Sequence, residues 1–474
     1  MSTSDFLARA LASLQETVAV ELRNDLRSSR QREFAACAGR VLARLQTGVA
    51  DAPALAAQRL ERWRQLTGRT PRATPSAPLD ELHAHAAQVV RALQAAEAPT
   101  DEWFREAVSA TRDYLDAHER ALPKPAAATA KGPEPTDTQR DRLSRYLAAK
   151  YPGLPAGAVT SLRIMPGGRG KETSLFELAP NDILPSRLVL RRDLTLSVTG
   201  TSAHAEFPLL KAVEALGLPV PSAILAEGDP SHLGGSFIIM TEIADARTGG
   251  ELFAELNDLT QLAPTFAPDL AGALAKLHTL RTHPSGTALG GHSSGGPDPL
   301  DTVRGFQQMF RGIAHKPPLH VATELGFAWL IANPLPPTRP QRLVHGDIGL
   351  HNVMLRDGAL AAILDWELAH LGDPAEDIAF AWSPLLRHLL TWDEFVAHYR
   401  RHGGEPQACD RQAVIWYSVW AHTRNSVYTA LHYDWASDGQ RKDIECFNAG
   451  TDFFDRTQYY IALELDQALQ ERHP

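Results

Sequence analysis

Three polar residues in the last third of the chain have types and spacing suited to chemistry on phosphate. Asp347 is followed five positions later by Asn352, and Asp365 lies beyond two short apolar runs. A carboxylate presented on a tight turn can orient an attacking hydroxyl and accept its proton. An amide oxygen and a second carboxylate are the hard oxygen donors that magnesium prefers, its other positions being filled by phosphates and water. Together they are the parts that phosphoryl transfer needs, where catalysis is mostly positioning and charge stabilisation.

The elements that must position them can be read around them. Residues 353–355 and 360–364 read as two short strands, and the Asp357-Gly358 pair between them is a strong hairpin signal. A hairpin brings its ends together, so Asn352 just before it and Asp365 just after it should meet at one metal site. Gly346 supplies backbone freedom for the turn that presents Asp347.

The segments HGDIGLHN (345–352) and ILDWE (363–367) resemble the catalytic and metal-binding motifs of the aminoglycoside phosphotransferase and choline kinase family. The continuation LDWELAHLGDP (364–374) is similar to the kinase domains associated with acyl-CoA dehydrogenases, which phosphorylate hydroxyacyl-CoAs. The resemblance covers roughly residues 140 to 460. It implies an α+β, two-lobed protein-kinase-like fold, with a five-stranded antiparallel first lobe and a mainly helical second lobe. It implies magnesium-dependent transfer of the γ-phosphoryl group of ATP, with GTP left open, to the hydroxyl of a small molecule such as a hydroxyacyl-CoA or hydroxy acid. Asp347 is then the catalytic residue, and Asn352 and Asp365 hold the metal. An aminoglycoside, macrolide or choline-type acceptor is the alternative, and a nucleotide-binding pseudokinase the more distant one.

The parts of a first lobe follow one another upstream. Residues 161–165 and 172–178 read as strands around the turn PGGRGK (166–171), whose Gly167, Gly168 and Gly170 lack side chains that would block close approach to phosphates. The strand 187–192 ends in two arginines. Arg191 takes the place where a protein kinase carries its phosphate-binding lysine, with Arg192 as second choice, and a guanidinium is not interchangeable with an ammonium there. Its expected acidic partner is Glu206, in the helical segment 204–213. Residues 223–225 and 236–240 complete the sheet, and 241–243 form a hinge whose backbone at Glu242 and Ile243 would meet the adenine edge.

In the second lobe, 267–280 reads as a central helix on which His278 is a packed residue, and 281–299 as a long Gly- and Ser-rich loop. Asp373 is placed to cap a helix before Pro374, and with Asp377 it reads as architectural. The helical segments 414–424 and 425–435 are rich in aromatic residues and could line an acyl channel. His422 and Arg424 there, together with Glu367, are expected on the acceptor side.

The rest of the chain sets the context. With 474 residues it can hold two or three domains. A net charge of −9 and a pI near 6.1 leave no basic footprint for nucleic acid. No run of about 18 apolar positions predicts a membrane span. The first eight residues carry an acid where a secretory leader carries positive charge, and Cys37, Cys409 and Cys446 fit neither a zinc spacing nor a disulfide framework. A cytoplasmic protein with reduced thiols is expected. Residues 5–22, 30–45, 54–66, 79–95 and 102–122 show helical apolar spacing, and 124–136 is a Pro- and Ala-rich linker. The expected division is therefore an N-terminal helical module at 1–123, a linker at 124–136, a first lobe at 137–243 and a second lobe at 244–474 with its catalytic loop at 343–367. The module is read as an interaction unit, such as one pairing two copies into a homodimer.

Overall fold

The computed structural model describes residues 52–68, 78–95, 100–121, 137–165, 170–194, 199–249, 259, 262–282, 284, 298–317, 319–382, 385–441 and 444–471. The expected helices at 5–22 and 30–45, the linker 124–136, Cys37, Gly167, Gly168 and most of the loop 281–299 lie outside the described residues.

Among the described residues three helices come first, α1 (Ala52–Thr67), α2 (Pro78–Gln94) and α3 (Asp101–Ala121). Their apolar positions recur at three- and four-residue spacing, as in Ala56, Leu60 and Trp63 or Leu82, Ala86, Val89 and Val90, and all of these are buried. Helix α4 (Asp137–Lys150) follows and covers one face of a five-stranded sheet. Its strands are β1 (Val159–Ile164), β2 (Lys171–Leu178) and β3 (Arg187–Asp193), then, after a 3₁₀ turn at Ala203–Glu206 and helix α5 (Phe207–Ala215), β4 (Ala223–Glu227) and β5 (Phe237–Thr241). The order is β1-β2-β3-β5-β4 and every pairing is antiparallel, as expected for the first lobe.

Alternation along the strands divides the sheet into two chemistries. Phe176, Leu178, Leu188, Leu190, Phe237 and Ile239 pack with Leu143 and Leu147 of α4 into a separate small core. On the other face Ile238 and Met240 join the main core, which continues into the second lobe. Thr173 pairs with Arg191 and Arg191 with Ile238, so Lys171, Thr173 and Arg191 share the face that looks toward the second lobe. Arg192 falls on the α4 side, where it donates to Glu172 at 2.9 Å and to the Leu233 carbonyl at 2.8 Å.

The second lobe contains β6 (Arg247–Thr248), α6 (Phe266–Leu277), α7 (Pro299–Gly312), α8 (Val321–Ala332), β7 (Arg342–Val344), β8 (Val353–Arg356), β9 (Ala359–Ile363) and β10 (His370–Gly372). Helices α9 (Ala375–Trp382), α10 (Trp392–Arg401), α11 (Arg411–Asp438), α12 (Ile444–Asn448) and α13 (Phe454–Glu471) complete it, with a π-helical turn at Ala449–Phe453. The aromatic segments read as 414–424 and 425–435 form one continuous helix, α11. Asp410 caps its start by accepting from Gln412 N–H, and Gly439 ends it with φ of +82°. No described helix is long and apolar enough to cross a membrane.

The apolar stripe of the described N-terminal helices is covered within the chain. It belongs to the same core as the second lobe. Gln94 donates to buried Glu324 of α8 at 2.8 Å, Arg105 donates to the Leu469 carbonyl at 3.3 Å, and Arg112 pairs with Asp466 of α13. Helical periodicity reveals that a face is apolar but not which element buries it.

Candidate active site

The hairpin signal at Asp357-Gly358 is realised as a two-residue turn with φ of +51° and +77°, the sign combination that matches the twist of the flanking strands. Val353 pairs with Ile363, and at the open end Leu364 N–H donates to the Asn352 carbonyl at 2.8 Å. Asn352 and Asp365 are thereby brought side by side. Asp365 itself sits in the left-handed region at φ +61°, a conformation that a non-glycine residue keeps only when its surroundings impose it. Just before the hairpin, Asn352 Nδ2 donates to the Asp347 carbonyl and to Asp347 Oδ2, both at 2.9 Å, so that its Oδ1 is the atom left to face a cation.

The turn that carries Asp347 is clamped from beneath. Strand β7 leads into it and pairs with β10, which follows the Asp365 segment. Gly346 has φ of +80°, and a Cβ there would lie 2.7 Å from the Leu368 carbonyl oxygen, so only glycine fits. The carboxylate of Asp377, fully buried on α9, accepts from His345 N–H and Gly346 N–H at 2.8 Å each, and from His278 Nε2 at 3.1 Å. Burial alone would raise the Asp377 pKa, but the His278 bond and the charges around it hold it below the usual carboxylate value. His278 in turn meets the Tyr399 hydroxyl at 2.7 Å. His345 accepts the Asp347 N–H on Nδ1 at 3.2 Å, so its proton is on Nε2, which donates to the Leu364 carbonyl at 2.8 Å.

Across the cleft, the sheet contributes a cluster of charge. Glu206, completely buried, holds Lys171 Nζ at 3.0 Å and Arg191 Nη1 at 3.2 Å. Lys171 also pairs with Glu367, and Arg191 Nη2 donates to Asp365 Oδ1 at 2.6 Å. Both cations remain charged: burial works against each, and for Lys171 the carboxylates of Glu206 and then Glu367 outweigh it, for Arg191 those of Asp365 and then Glu206. Asp365 is held below the usual carboxylate range because Arg191 overrides its desolvation, whereas burial and then the neighbouring Asp365 push Glu367 up.

The family model described as the phosphotransferase enzyme family matches residues 162–416, more than half of the chain. The chain belongs to the phosphotransferase enzyme family. Acyl-CoA dehydrogenase family member 11 of Gallus gallus is 28% identical over 247 residues, which are 50% of this chain and 30% of that protein. Acyl-CoA dehydrogenase family member 10 of Mus musculus is 29% identical over 256 residues, 51% of this chain and 22% of that protein. The chain thus spans less than a third of the length of these relatives. A crystal structure from Ralstonia eutropha named for the aminoglycoside phosphotransferases matches with a TM-score of 0.51 at 19% identity, over 69% of this chain and 98% of that one, a likeness of fold.

Within this phosphotransferase-family chain, the residues expected at the site divide into three groups. Asp347, Asn352, Asp365, Arg191 and Glu206 come together in one cleft. Gly170 is buried at the start of β2, where its carbonyl accepts from Leu194 N–H at 3.1 Å. Glu242 follows β5 and binds Arg187 at 2.6 Å, with Ile243 half-buried beside it. The residues expected on the acceptor side are placed differently. Arg424 is buried and donates to the Gly346 carbonyl at 2.6 Å and to the Glu376 carboxylate at 3.0 Å, so its guanidinium is committed within the protein and braces the Asp347 loop. Glu367 is committed to Lys171. His422 stacks on Tyr460 with ring centroids 5.1 Å apart, and burial pushes its pKa down to about 4, so it is a neutral ring.

Lys171 is the site residue that the sequence reading passed over, because it closes a glycine-rich turn. The available signal was period-two alternation: Lys171 is two positions before Thr173, the partner of Arg191, and so lies on the same face.

Proposed function

We propose that the chain transfers the γ-phosphoryl group of ATP to the hydroxyl of a small molecule, with magnesium, and that the acceptor is a hydroxyacyl-CoA or a related hydroxy acid. The observation that carries the reading is the junction of Asp347, Asn352 and Asp365, made by the 2.8 Å closure of the hairpin and the 2.9 Å bond from Asn352 to Asp347. Asn352 Oδ1 and the Asp365 carboxylate would hold magnesium, and their hard-oxygen chemistry fits that ion. When bound, the metal neutralises charge on the nucleotide phosphates. Asp347 keeps one carboxylate oxygen bonded to Asn352 and has the other to orient the acceptor hydroxyl and take its proton. Arg191 and Lys171, on one face of the sheet and anchored by Glu206, present positive charge to the phosphates. The hinge backbone at Glu242 and Ile243 and the glycines of the β1–β2 turn would seat the nucleotide.

The acceptor class is supported by two lines. The relatives are named as acyl-CoA dehydrogenase family members. In addition, Phe306 of α7 packs edge-on against Trp420 and Tyr428 of α11, with centroids 5.2 and 5.6 Å apart. Aromatic rings on the helix that also carries Arg424, the donor to the Gly346 carbonyl, suit an apolar acyl group better than a polyamine. Coupled ADP release, measured with hydroxyacyl-CoAs, aminoglycosides, macrolides and choline as acceptors, tests the reading. Turnover with hydroxyacyl-CoAs is expected, and turnover confined to aminoglycosides or choline would overturn the acceptor class.

A further inference from the structure

Arg191 lies between two carboxylates that have different reasons to hold it. Glu206 is completely buried and has a second cation, Lys171, at 3.0 Å. Asp365 is partly exposed, belongs to the other lobe, and has Arg191 as its 2.6 Å partner. If Arg191 moves, Glu206 is still neutralised by Lys171. Lys171 is pinned by Glu206 and Glu367 and is almost completely buried, so it is the fixed cation of the pair. Arg191 is the one that can be exchanged.

Resting on the phosphoryl-transfer reading of this cleft, we propose that Arg191 is a built-in counter-ion that guards Asp365. Its guanidinium occupies the carboxylate at which a divalent cation must bind, and releases it only when phosphate oxygens offer a replacement anion. A guanidinium and a divalent ion on one carboxylate repel each other strongly at these distances. Phosphate presents to a guanidinium the same paired-oxygen geometry as a carboxylate, so the exchange keeps the arginine's hydrogen bonds. Metal alone should therefore bind weakly. Nucleotide and metal should favour each other's binding, because linkage between two sites is reciprocal. Arg191 is in this sense a specificity-determining residue: it selects metal–nucleotide together over free metal.

The test reads metal binding in the full-length protein without nucleotide or acceptor, by the loss of the free Mn²⁺ signal in electron paramagnetic resonance. Arg191→Gln should bind Mn²⁺ about tenfold or more tightly than the wild type, within the usual range of a coupling between sites. Lys171→Gln removes the same unit of charge next to Glu206 and Glu367 but leaves Asp365 guarded, and should change the affinity by less than about threefold. Adding Asp365→Asn to Arg191→Gln should abolish the gain. Arg191→Lys, which keeps the charge with a compact head, should stay within about threefold of the wild type, and Arg191→Met, which removes the charge and should tighten binding as the glutamine does, covers the case in which the glutamine variant folds poorly. The proposal is overturned if Arg191→Gln binds Mn²⁺ no better than the wild type, or if Lys171→Gln tightens binding equally, which would make the effect one of general charge. Failure of phosphoryl transfer itself would show in the ADP-release assay and not in this one.

Discussion

Replacing Asp377 by asparagine isolates the contribution of the clamp beneath the Asp347 loop. The carboxylate accepts two backbone N–H groups at 2.8 Å and the His278 ring at 3.1 Å, all in a fully buried setting. Asparagine keeps the shape but offers one acceptor oxygen and turns an NH₂ group toward one of those donors. One hydrogen bond to a charged group is lost, at about 1.5–3 kcal/mol, and a buried N–H is left unsatisfied, so a destabilisation of roughly 3 kcal/mol is expected. The turnover effect should be separable from it. His345 and Gly346 lead directly into Asp347, and a displacement of the order of an ångström at the attacking group costs about 10²-fold in rate. Turnover of Asp377→Asn should therefore fall by about 10²-fold while the KM for nucleotide changes by less than about threefold, the pattern of a lost transition-state interaction. Urea unfolding gives the stability term, and steady-state ADP release on the folded variant gives the kinetic one. Because the Asp377 pKa is depressed in the folded protein, its stabilisation is present above the ordinary carboxylate value and lost as the pH falls through the lower, folded one. The wild type should thus lose more stability on acidification than Asp377→Asn. A folded variant with wild-type turnover would refute the idea that this carboxylate positions the loop.

Gly346→Ala should be severe, because a Cβ would meet the Leu368 carbonyl oxygen at 2.7 Å at a φ of +80°; a loss of about 2–3 kcal/mol or more in urea unfolding is expected from strain of this kind. Arg191→Gln should weaken binding of a fluorescent nucleotide by about tenfold, the effect of roughly 1.4 kcal/mol, while Arg192→Gln stays within about twofold, since Arg192 lies on the α4 side of the sheet. His370, beside Glu376 at 3.2 Å, has its pKa raised: burial opposes the charge, but Glu376 outweighs it. The stabilisation from that pair is complete below the ordinary value of 6.5 and is lost as the pH rises through the raised, folded value. His370→Gln should accordingly cost more stability in urea unfolding at about pH 6 than at about pH 9.

The parts of the site that were legible in the sequence are those fixed by local geometry. A two-residue Asp-Gly turn between alternating runs defines a hairpin, and a hairpin defines which residues meet at its ends, so the junction of Asn352 and Asp365 followed from spacing alone. Strand alternation likewise separates Arg191 from Arg192, and read one strand further it would have found Lys171. Long-range placement was not legible. Arg424 and His422 sit on a helix whose buried positions run around the whole circumference, so periodicity could not say which side faces a ligand; Arg424 turns inward to the Gly346 carbonyl. Glu367 was expected to meet an acceptor because of its place just after Asp365, and the buried Lys171 of the opposite lobe pairs with it. Asp377 was read as architectural, and what it supports, the His345–Gly346 backbone, could emerge only from the tertiary fold. The N-terminal helices show the same limit: their apolar faces were evident, but the α8 and α13 surfaces that cover them lie more than 200 and 300 residues away in sequence, as the 230-residue separation of Gln94 and Glu324 and the 354-residue separation of Arg112 and Asp466 show.

Phosphate transfer by the wild type and by Asp347→Asn, followed as phosphoester formation on a hydroxyacyl-CoA with γ-labelled ATP and magnesium, is the most direct measurement of the central proposal. The wild type should form labelled product, and Asp347→Asn should form it about 10²-fold more slowly or worse while still folding and binding nucleotide. Near-normal transfer by Asp347→Asn would contradict the assignment of that residue, and with it the reading of the cleft.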